Sequence, residues 1–281
     1  MVLSVFGDES ADETKQRVFA VSGIVGTESE WKLAEQAWVD RTGGKVFHAA
    51  DCEYEKQFDL YKDLTQILAK GYVAGIGIAL DLISLREFLP DILPDAGYYV
   101  CFHKVIAAMA QMARDWNERV AANPECGDEQ VQLEFTFDHR IESKQNAGRL
   151  YSTFINQPEW KNSIILDTKI AFESREKPHI QMADLIAREA MKDLDRQIGP
   201  NTFPERKSKI ALKEKDHFKF VGLDRDYCKL WRDRMSTLEV ESGISRKGYA
   251  RWLSDRGRVQ DNRPHDNWSN RALYLAWLDS G

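Results

Sequence analysis

Residues 2–26 read VLSVFGDESADETKQRVFAVSGIVG, and this stretch sets the expectation for the whole fold. Two runs rich in valine and phenylalanine, VLSVF and VFAVSGIVG, flank a polar segment. Apolar runs of this length around turn-forming residues are typical of neighbouring strands, so the chain is predicted to open with a β-hairpin. The first run stops on two adjacent acids, Asp8 and Glu9, which either open a solvated turn or end a strand at a functional site.

Strands and helices alternate after this hairpin. Helical spacing of apolar residues recurs in several segments, the longest of them YYVCFHKVIAAMAQMARDWNERV at 98–120. Strand-like runs lie between the helical segments, as in YVAGIGIALDL at 72–82 and IILDTKIAF at 164–172. The alternation predicts an α/β fold with a mixed sheet flanked by helices.

Length and composition bound the class of protein. A chain of 281 residues with 43% hydrophobic residues can bury a full core, and it is long for one compact domain. We therefore expect a main domain at 1–199 and an appendage at 200–281. No apolar run reaches the roughly 20 residues of a membrane span, and the N-terminus lacks the pattern of a secretion signal. The four cysteines show no paired spacing, so a cytoplasmic protein with reduced thiols is expected.

Charge is distributed unevenly along the chain. The net charge is −6, but residues 200–281 hold 17 Lys+Arg against 12 Asp+Glu, a balance of +5, and the rest carries −11. The appendage is also rich in aromatic residues, which predicts a small helical extension that docks on the main domain or on another copy of the chain. A basic, aromatic segment suits phosphates and stacked bases, and it equally suits a solvated helix edge.

Two further acids resemble the first pair. In QVQLEFTFDHR, at 130–140, strict alternation puts Asp138 at the tip of a strand, where it either starts a turn or belongs to a site. On the helix predicted from Pro178, Asp184 falls at the margin of a broad apolar arc, while Gln181 and Arg188 face away from the centre of that arc. Burying a carboxylate beside an apolar face costs free energy unless a cation or a hydrogen-bond donor interacts with it.

Three separated carboxylates at strand ends and a helix margin are suited to hard divalent cations, which prefer oxygen ligands. Two such ions about 3.5 to 4 Å apart activate a water and stabilise the leaving oxygen of a phosphodiester. The residues predicted to hold Mg²⁺ or Mn²⁺ are Asp8, Asp138 and Asp184, with Glu9 as a weaker fourth ligand because strand alternation points it to the opposite face.

These motifs together resemble the RNase H-like family catalogued as domain of unknown function number 3800. The resemblance rests on GDES at 7–10, FHA at 47–49, the strand ending in Asp138, and the pattern Gln181-x-Ala183-Asp184-x-x-Ala187 on a late helix. It covers roughly residues 2–196. It implies an RNase H-like fold, an acidic metal-dependent site, and a nuclease role of the kind met in mobile or antiviral defence loci.

Other candidate residues have either a role in the site or an ordinary place on the protein surface. His48 is predicted either as a general base or as surface, and Gln181 as a residue that orients Asp184. His139 and Arg140 either reach a phosphate or belong to a solvated turn. Lys207, Lys209 and Lys213 are candidates for contacts to the nucleic-acid backbone.

The sequence thus favours a divalent-metal-dependent nuclease that hydrolyses phosphodiester bonds by a two-metal mechanism. A non-catalytic nucleic-acid-binding or regulatory module with the same fold stays open. The expected partner is nucleic acid, with a homodimer or a partner protein possible through the C-terminal extension. No P-loop and no G-x-S-x-G elbow is present in the sequence.

Overall fold

The computed structural model describes most of the first 242 residues. The described ranges are 1–12, 14, 16–53, 57–90, 96–122, 129–139, 147–148, 150–152, 154–156, 160, 163, 165–199 and 204–242. No helix in these ranges combines the length and the apolar character needed to cross a membrane.

One six-stranded sheet forms the centre of the molecule. Its strands are β1 (Val2–Ala11), β2 (Val18–Gly26), β3 (Ala74–Asp81), β4 (Gln132–Asp138), β5 (Leu166–Glu173) and β6 (Phe218–Leu223). They lie in the order β5-β4-β1-β2-β3-β6. Strands β1 and β3 run antiparallel to β2, which lies between them, whereas β4 pairs in parallel with β1 and β5, and β6 pairs in parallel with β3. The predicted α/β class with a mixed sheet is therefore confirmed, and the arrangement is consistent with an RNase H-like fold.

Helices cover both faces of the sheet. They are α1 (Glu28–Thr42), α2 (Phe58–Ala69), α3 (Leu82–Phe88), α4 (Ala96–Ala122), α5 (Pro178–Ile198), α6 (Lys207–Lys213) and α7 (Arg225–Ser242). On one face, α4 packs on the sheet with α3 and α7 beside it, and their apolar residues contribute to the larger core cluster. On the other face, α5 crosses β1, β2 and β3, and α1, α2 and α6 pack outside it.

The predicted hairpin is present, but its first strand does not end at Asp8. The register of β1 with β2 continues to the pair formed by Ala11 and Phe19. Asp12 closes the turn, since its Oδ1 accepts hydrogen bonds from the backbone N–H groups of Arg17 (2.8 Å) and Val18 (3.0 Å). Asp8 consequently lies inside a strand, and its carboxylate is not a turn-forming group.

Close contact between α5 and the sheet fixes the position of the helix. A Cβ at Gly77 of β3 would lie 2.7 Å from the Cβ of Ala190, so only glycine allows this approach. The hydroxyl of Ser22 in β2 donates a 2.7 Å hydrogen bond to the carbonyl oxygen of Ala183. This bond ties α5 to the central strand at the residue directly before Asp184.

The predicted domain boundary at 199 and 200 does not separate two units in the described residues. β6 lies beyond that boundary, yet it pairs with β3 and extends the sheet. Trp231 of α7 is buried in the larger core cluster. The strand was missed because its six residues, FKFVGL, follow a run of lysines that favours a charged helix edge. The rest of the predicted extension, 243–281, lies outside the described residues.

Candidate functional site

A cavity of about 720 Å³ opens where β4 and β5 end. The register of β1 with β4 stops at Gly7 and Phe137, whereas β1 continues along β2 to Ala11. The longer strand leaves a notch at this edge, and α5 together with the loop after α1 closes its sides. The charged or titratable residues that line the cavity are Asp8, Glu9, Asp138, Asp184, His48, His139, Arg175 and Arg188.

Asp8 is buried on the α5 face of β1. Its Oδ1 accepts a 2.7 Å hydrogen bond from the backbone N–H of Glu9. Burial raises the pKa of Asp8 well above its usual range, and the nearby carboxylates of Asp184, Glu9 and Asp138 raise this pKa further. An ionised Asp8 therefore costs free energy in the absence of a counter-charge.

Asp184 lies on α5 and is also buried. Its Oδ2 accepts a 2.8 Å hydrogen bond from the backbone N–H of Ala49. Burial raises the pKa of Asp184 to about 6, an effect that Asp138 reinforces and that the Ala49 N–H, His48 and Arg188 oppose. The carboxylate thus has a defined structural partner on one oxygen, as well as acidic neighbours.

Asp138 and Glu9 complete the acidic set. Asp138 is the last residue of β4, as the alternation of QVQLEFTFDHR predicts, and it is half-buried. Glu9 was expected to point away from the other acids because it alternates with Asp8. It nevertheless lines the same cavity and raises the pKa of Asp8.

The structure therefore brings together acids that are 130 and 46 residues apart in sequence. Asp8, Asp138 and Asp184 face one cavity, where Asp184 and Asp138 raise the pKa of Asp8, and Asp138 raises that of Asp184. Their carboxylates are too far apart to coordinate one metal ion together, since among the described residues no group of three or more His, Cys, Asp or Glu side chains is placed to hold one. A cation would have to draw these side chains closer together.

Gln181 has a role different from the predicted one. It lies one helical turn before Asp184, but it orients the loop at 47–49 rather than the carboxylate. Its Oε1 accepts hydrogen bonds from the Phe47 backbone N–H (3.0 Å) and the Trp38 Nε1–H (3.1 Å), and its Nε2 donates to the Glu176 carbonyl oxygen (2.8 Å). These hydrogen bonds hold the Gln181 side chain in place, and the residue also lines the cavity, so its predicted contact with a substrate stays a prediction.

The FHA motif and the helix motif are thus joined physically. Gln181 binds the backbone of Phe47, and Asp184, three residues later on the same face of α5, binds the backbone of Ala49. His48, between them, lines the cavity with a side chain that is 43% exposed, and its Nδ1 lies 3.3 Å from Asp51 Oδ2. His48 is placed to meet a ligand in the cavity.

The predicted lysine contacts lie away from the cavity. Lys209 is buried, and its Nζ forms ion pairs with Asp193 Oδ2 (2.6 Å) and Glu205 Oε1 (2.7 Å). The prediction that Lys209 holds a nucleic-acid backbone is therefore wrong, because these pairs tie α6 to α5. Lys213 is exposed near Glu205, and Lys207 is exposed as well. The predicted contact residue Arg140 lies outside the described residues.

Two arginines that the sequence did not assign to the site line the cavity. Arg188 was expected to face away from the apolar arc of α5, yet it is buried and donates a 3.3 Å hydrogen bond from Nη1 to the Ala11 carbonyl oxygen. The helical wheel failed here because α5 is covered on both sides, by the sheet and by the outer helices. Arg175, in the turn before α5, carried no pattern in the sequence that marked it.

Comparison of the chain with models of protein families, with curated proteins and with solved structures found no match.

Proposed function

We propose that this protein is a divalent-metal-dependent nuclease that hydrolyses phosphodiester bonds in nucleic acid. The observation that carries the proposal is the shared cavity of Asp8, Asp138 and Asp184, in which the pKa values of Asp8 and Asp184 are raised. Perturbed acids that converge from separate elements in a cleft are typical of functional sites.

The donor set fits Mg²⁺ or Mn²⁺. All the acids supply carboxylate oxygens, which hard cations prefer, and the raised pKa values of Asp8 and Asp184 mean that their ionised forms lack sufficient counter-charge. Asp8, Asp138 and Asp184 would hold the cation, with Glu9 as a further acid at the same notch. A bound cation would supply an activated water and would neutralise charge on the phosphodiester oxygens.

The other residues of the cavity suit a phosphate substrate. The Ala49 N–H holds one oxygen of Asp184, which limits the orientations of the carboxylate. His48, His139, Arg175 and Arg188 provide hydrogen-bond donors around the acids. A cavity that pairs recessed acids with basic groups can accept a cation and a phosphate at the same time.

Cleavage assays test this proposal. We expect the full chain to cleave a labelled oligonucleotide, offered as single- and double-stranded DNA and RNA, with Mg²⁺ or Mn²⁺ but not with excess chelator. Asp138→Asn should abolish cleavage, whereas Glu134→Gln, an exposed acid on the same strand and outside the cavity, should leave it unchanged. Cleavage that persists in chelator, or that survives Asp138→Asn, would contradict the proposal.

A non-catalytic nucleic-acid-binding or regulatory module is the second candidate. Two observations favour it: the described residues contain no group already placed to hold a metal ion, and Asp184 has a structural partner in Ala49. This candidate predicts metal-independent binding of nucleic acid with no cleavage of any substrate. A role in antiviral defence, and a homodimer or a partner protein at the C-terminal extension, stay predictions from the sequence.

A further inference from the structure

Charge in the cavity changes with depth. Asp8 and Asp184 are recessed, with 8% and 5% of their surface exposed. The basic side chains of His139 and Arg175, in contrast, are exposed and line the same cavity. A polyanion that approaches the acids therefore meets cationic or hydrogen-bond-donating groups first.

Arg175 lies in a turn that is held at several points. The Ser174 carbonyl oxygen accepts a 3.0 Å hydrogen bond from the Lys177 N–H, and the Ser174 Oγ accepts one of 3.2 Å from the Glu176 N–H. The Glu176 carbonyl oxygen accepts the 2.8 Å bond from Gln181 described above. The backbone that carries Arg175 is consequently ordered before any ligand binds, which lowers the entropy cost of binding.

The same edge of the sheet carries Arg175 and Asp138. The backbone N–H of His139 donates a 2.7 Å hydrogen bond to the Glu173 carbonyl oxygen. This bond joins the residue after β4 to the last residue of β5, two positions before Arg175. The arginine and the acid at the end of β4 are therefore parts of one wall of the cavity.

The guanidinium of Arg175 is available for a ligand. Within the part of the chain that the structure describes, Arg175 makes no ion pair and no side-chain hydrogen bond. Guanidinium groups bind phosphate through two parallel N–H donors, a geometry that an ammonium group does not offer. An exposed, unengaged arginine at the mouth of an acidic cavity is suited to phosphate.

We propose that Arg175 binds the phosphate next to the reacting phosphodiester, an inference that rests on the proposed nuclease function. The helical rise puts Asp184 about 9 Å along the axis from Pro178, the first residue of α5. Arg175 lies three residues before Pro178, in the turn that precedes α5, so it reaches the cavity from a different segment than Asp184. This position makes Arg175 a substrate-binding residue that sets where the strand lies.

Salt-dependent binding tests the contact. Full-length protein carrying Asp184→Asn, which prevents turnover, would be titrated against a fluorescent single-stranded oligonucleotide at several salt concentrations. Arg175→Gln should weaken binding about tenfold and flatten the slope of log affinity against log salt by about 0.7, the value for one phosphate of a single strand. Arg175→Lys should keep the slope with several-fold weaker binding, because charge remains but the paired donors are lost.

Lys169→Gln is the matched control, since Lys169 is exposed on β5 and does not line the cavity. In the catalytically intact protein, Arg175→Gln should raise KM with kcat little changed. An unchanged affinity and slope, an equal loss from Lys169→Gln, or a lowered kcat at constant KM would overturn the assignment. If the intact protein cleaves no nucleic acid, the proposed function fails, and the salt slope still decides whether Arg175 binds a phosphate.

Discussion

Asp184→Asn is expected to lower the rate of cleavage by about three orders of magnitude without unfolding the protein. Metal-mediated stabilisation of the transition state is worth several kcal/mol, and about 1.4 kcal/mol corresponds to a factor of ten in rate. Asparagine keeps the oxygen that accepts the Ala49 N–H but removes the charge that a divalent ion needs. Single-turnover cleavage at saturating Mn²⁺ measures the effect.

Asp184→Ala separates the catalytic role of this residue from its structural one. Alanine loses the charge and also leaves the Ala49 N–H without its acceptor, which costs about 1–3 kcal/mol for a buried group. Both variants should therefore be inactive, but only the alanine variant should melt at a lower temperature. Wild-type cleavage by Asp184→Asn would remove Asp184 from the mechanism.

Asp8→Asn is expected to stabilise the metal-free protein at pH 8. Burial, together with Asp184, Glu9 and Asp138, raises the pKa of Asp8, so the folded state holds a proton that the unfolded state has already released. The stability that this proton provides is complete below the unfolded pKa of about 3.9 and is lost as the pH rises through the raised pKa. An asparagine at this position does not ionise, so it does not lose that stability, and its side-chain oxygen can still accept the hydrogen bond from the Glu9 N–H.

Thermal melts in chelator should therefore show a higher Tm for Asp8→Asn than for the wild type at pH 8. The difference should shrink as the pH approaches 4. Mn²⁺ should raise the Tm of the wild type much more than that of the variant. Glu134→Gln serves as the control and should leave the Tm unchanged. A lower Tm for Asp8→Asn than for the wild type at pH 8 would show that the ionised Asp8 carboxylate does not destabilise the metal-free protein.

Much of the sheet could be predicted because its strands carry a clear pattern. The alternation in QVQLEFTFDHR reflects β4, whose Leu133, Phe135 and Phe137 are buried in the core while Glu134 is exposed. It also placed Asp138 at the tip of that strand. The end of β1 could not be predicted, because Asp8 and Glu9 look like turn residues although backbone pairing with β2 continues past them.

The surroundings of α5 were the main difficulty for the sequence. A helical wheel assumes one apolar and one solvated face, but α5 lies between the sheet and an outer layer of helices. Gln181 and Arg188 are buried there through hydrogen bonds to distant backbone atoms, at Phe47 and Ala11. Such contacts depend on the path of the chain and leave no local pattern.

The charge of the C-terminal part also misled the sequence argument. Lys209 counts as a basic residue in a run that suits phosphates, yet it forms ion pairs with Asp193 and Glu205 inside the fold. Composition cannot distinguish a lysine paired within the fold from one that meets a ligand. The exposed Lys207 and Lys213 stay candidates for contacts outside the cavity.

The structure of crystals soaked in Mn²⁺, with the metal located by its anomalous scattering, tests the metal centre most directly. We expect a peak within coordination distance of the carboxylates of Asp8, Asp138 and Asp184, with those side chains drawn together relative to the metal-free arrangement. No peak in the cavity at saturating Mn²⁺, or a peak held only by other residues, would contradict the proposal that these acids form a metal centre.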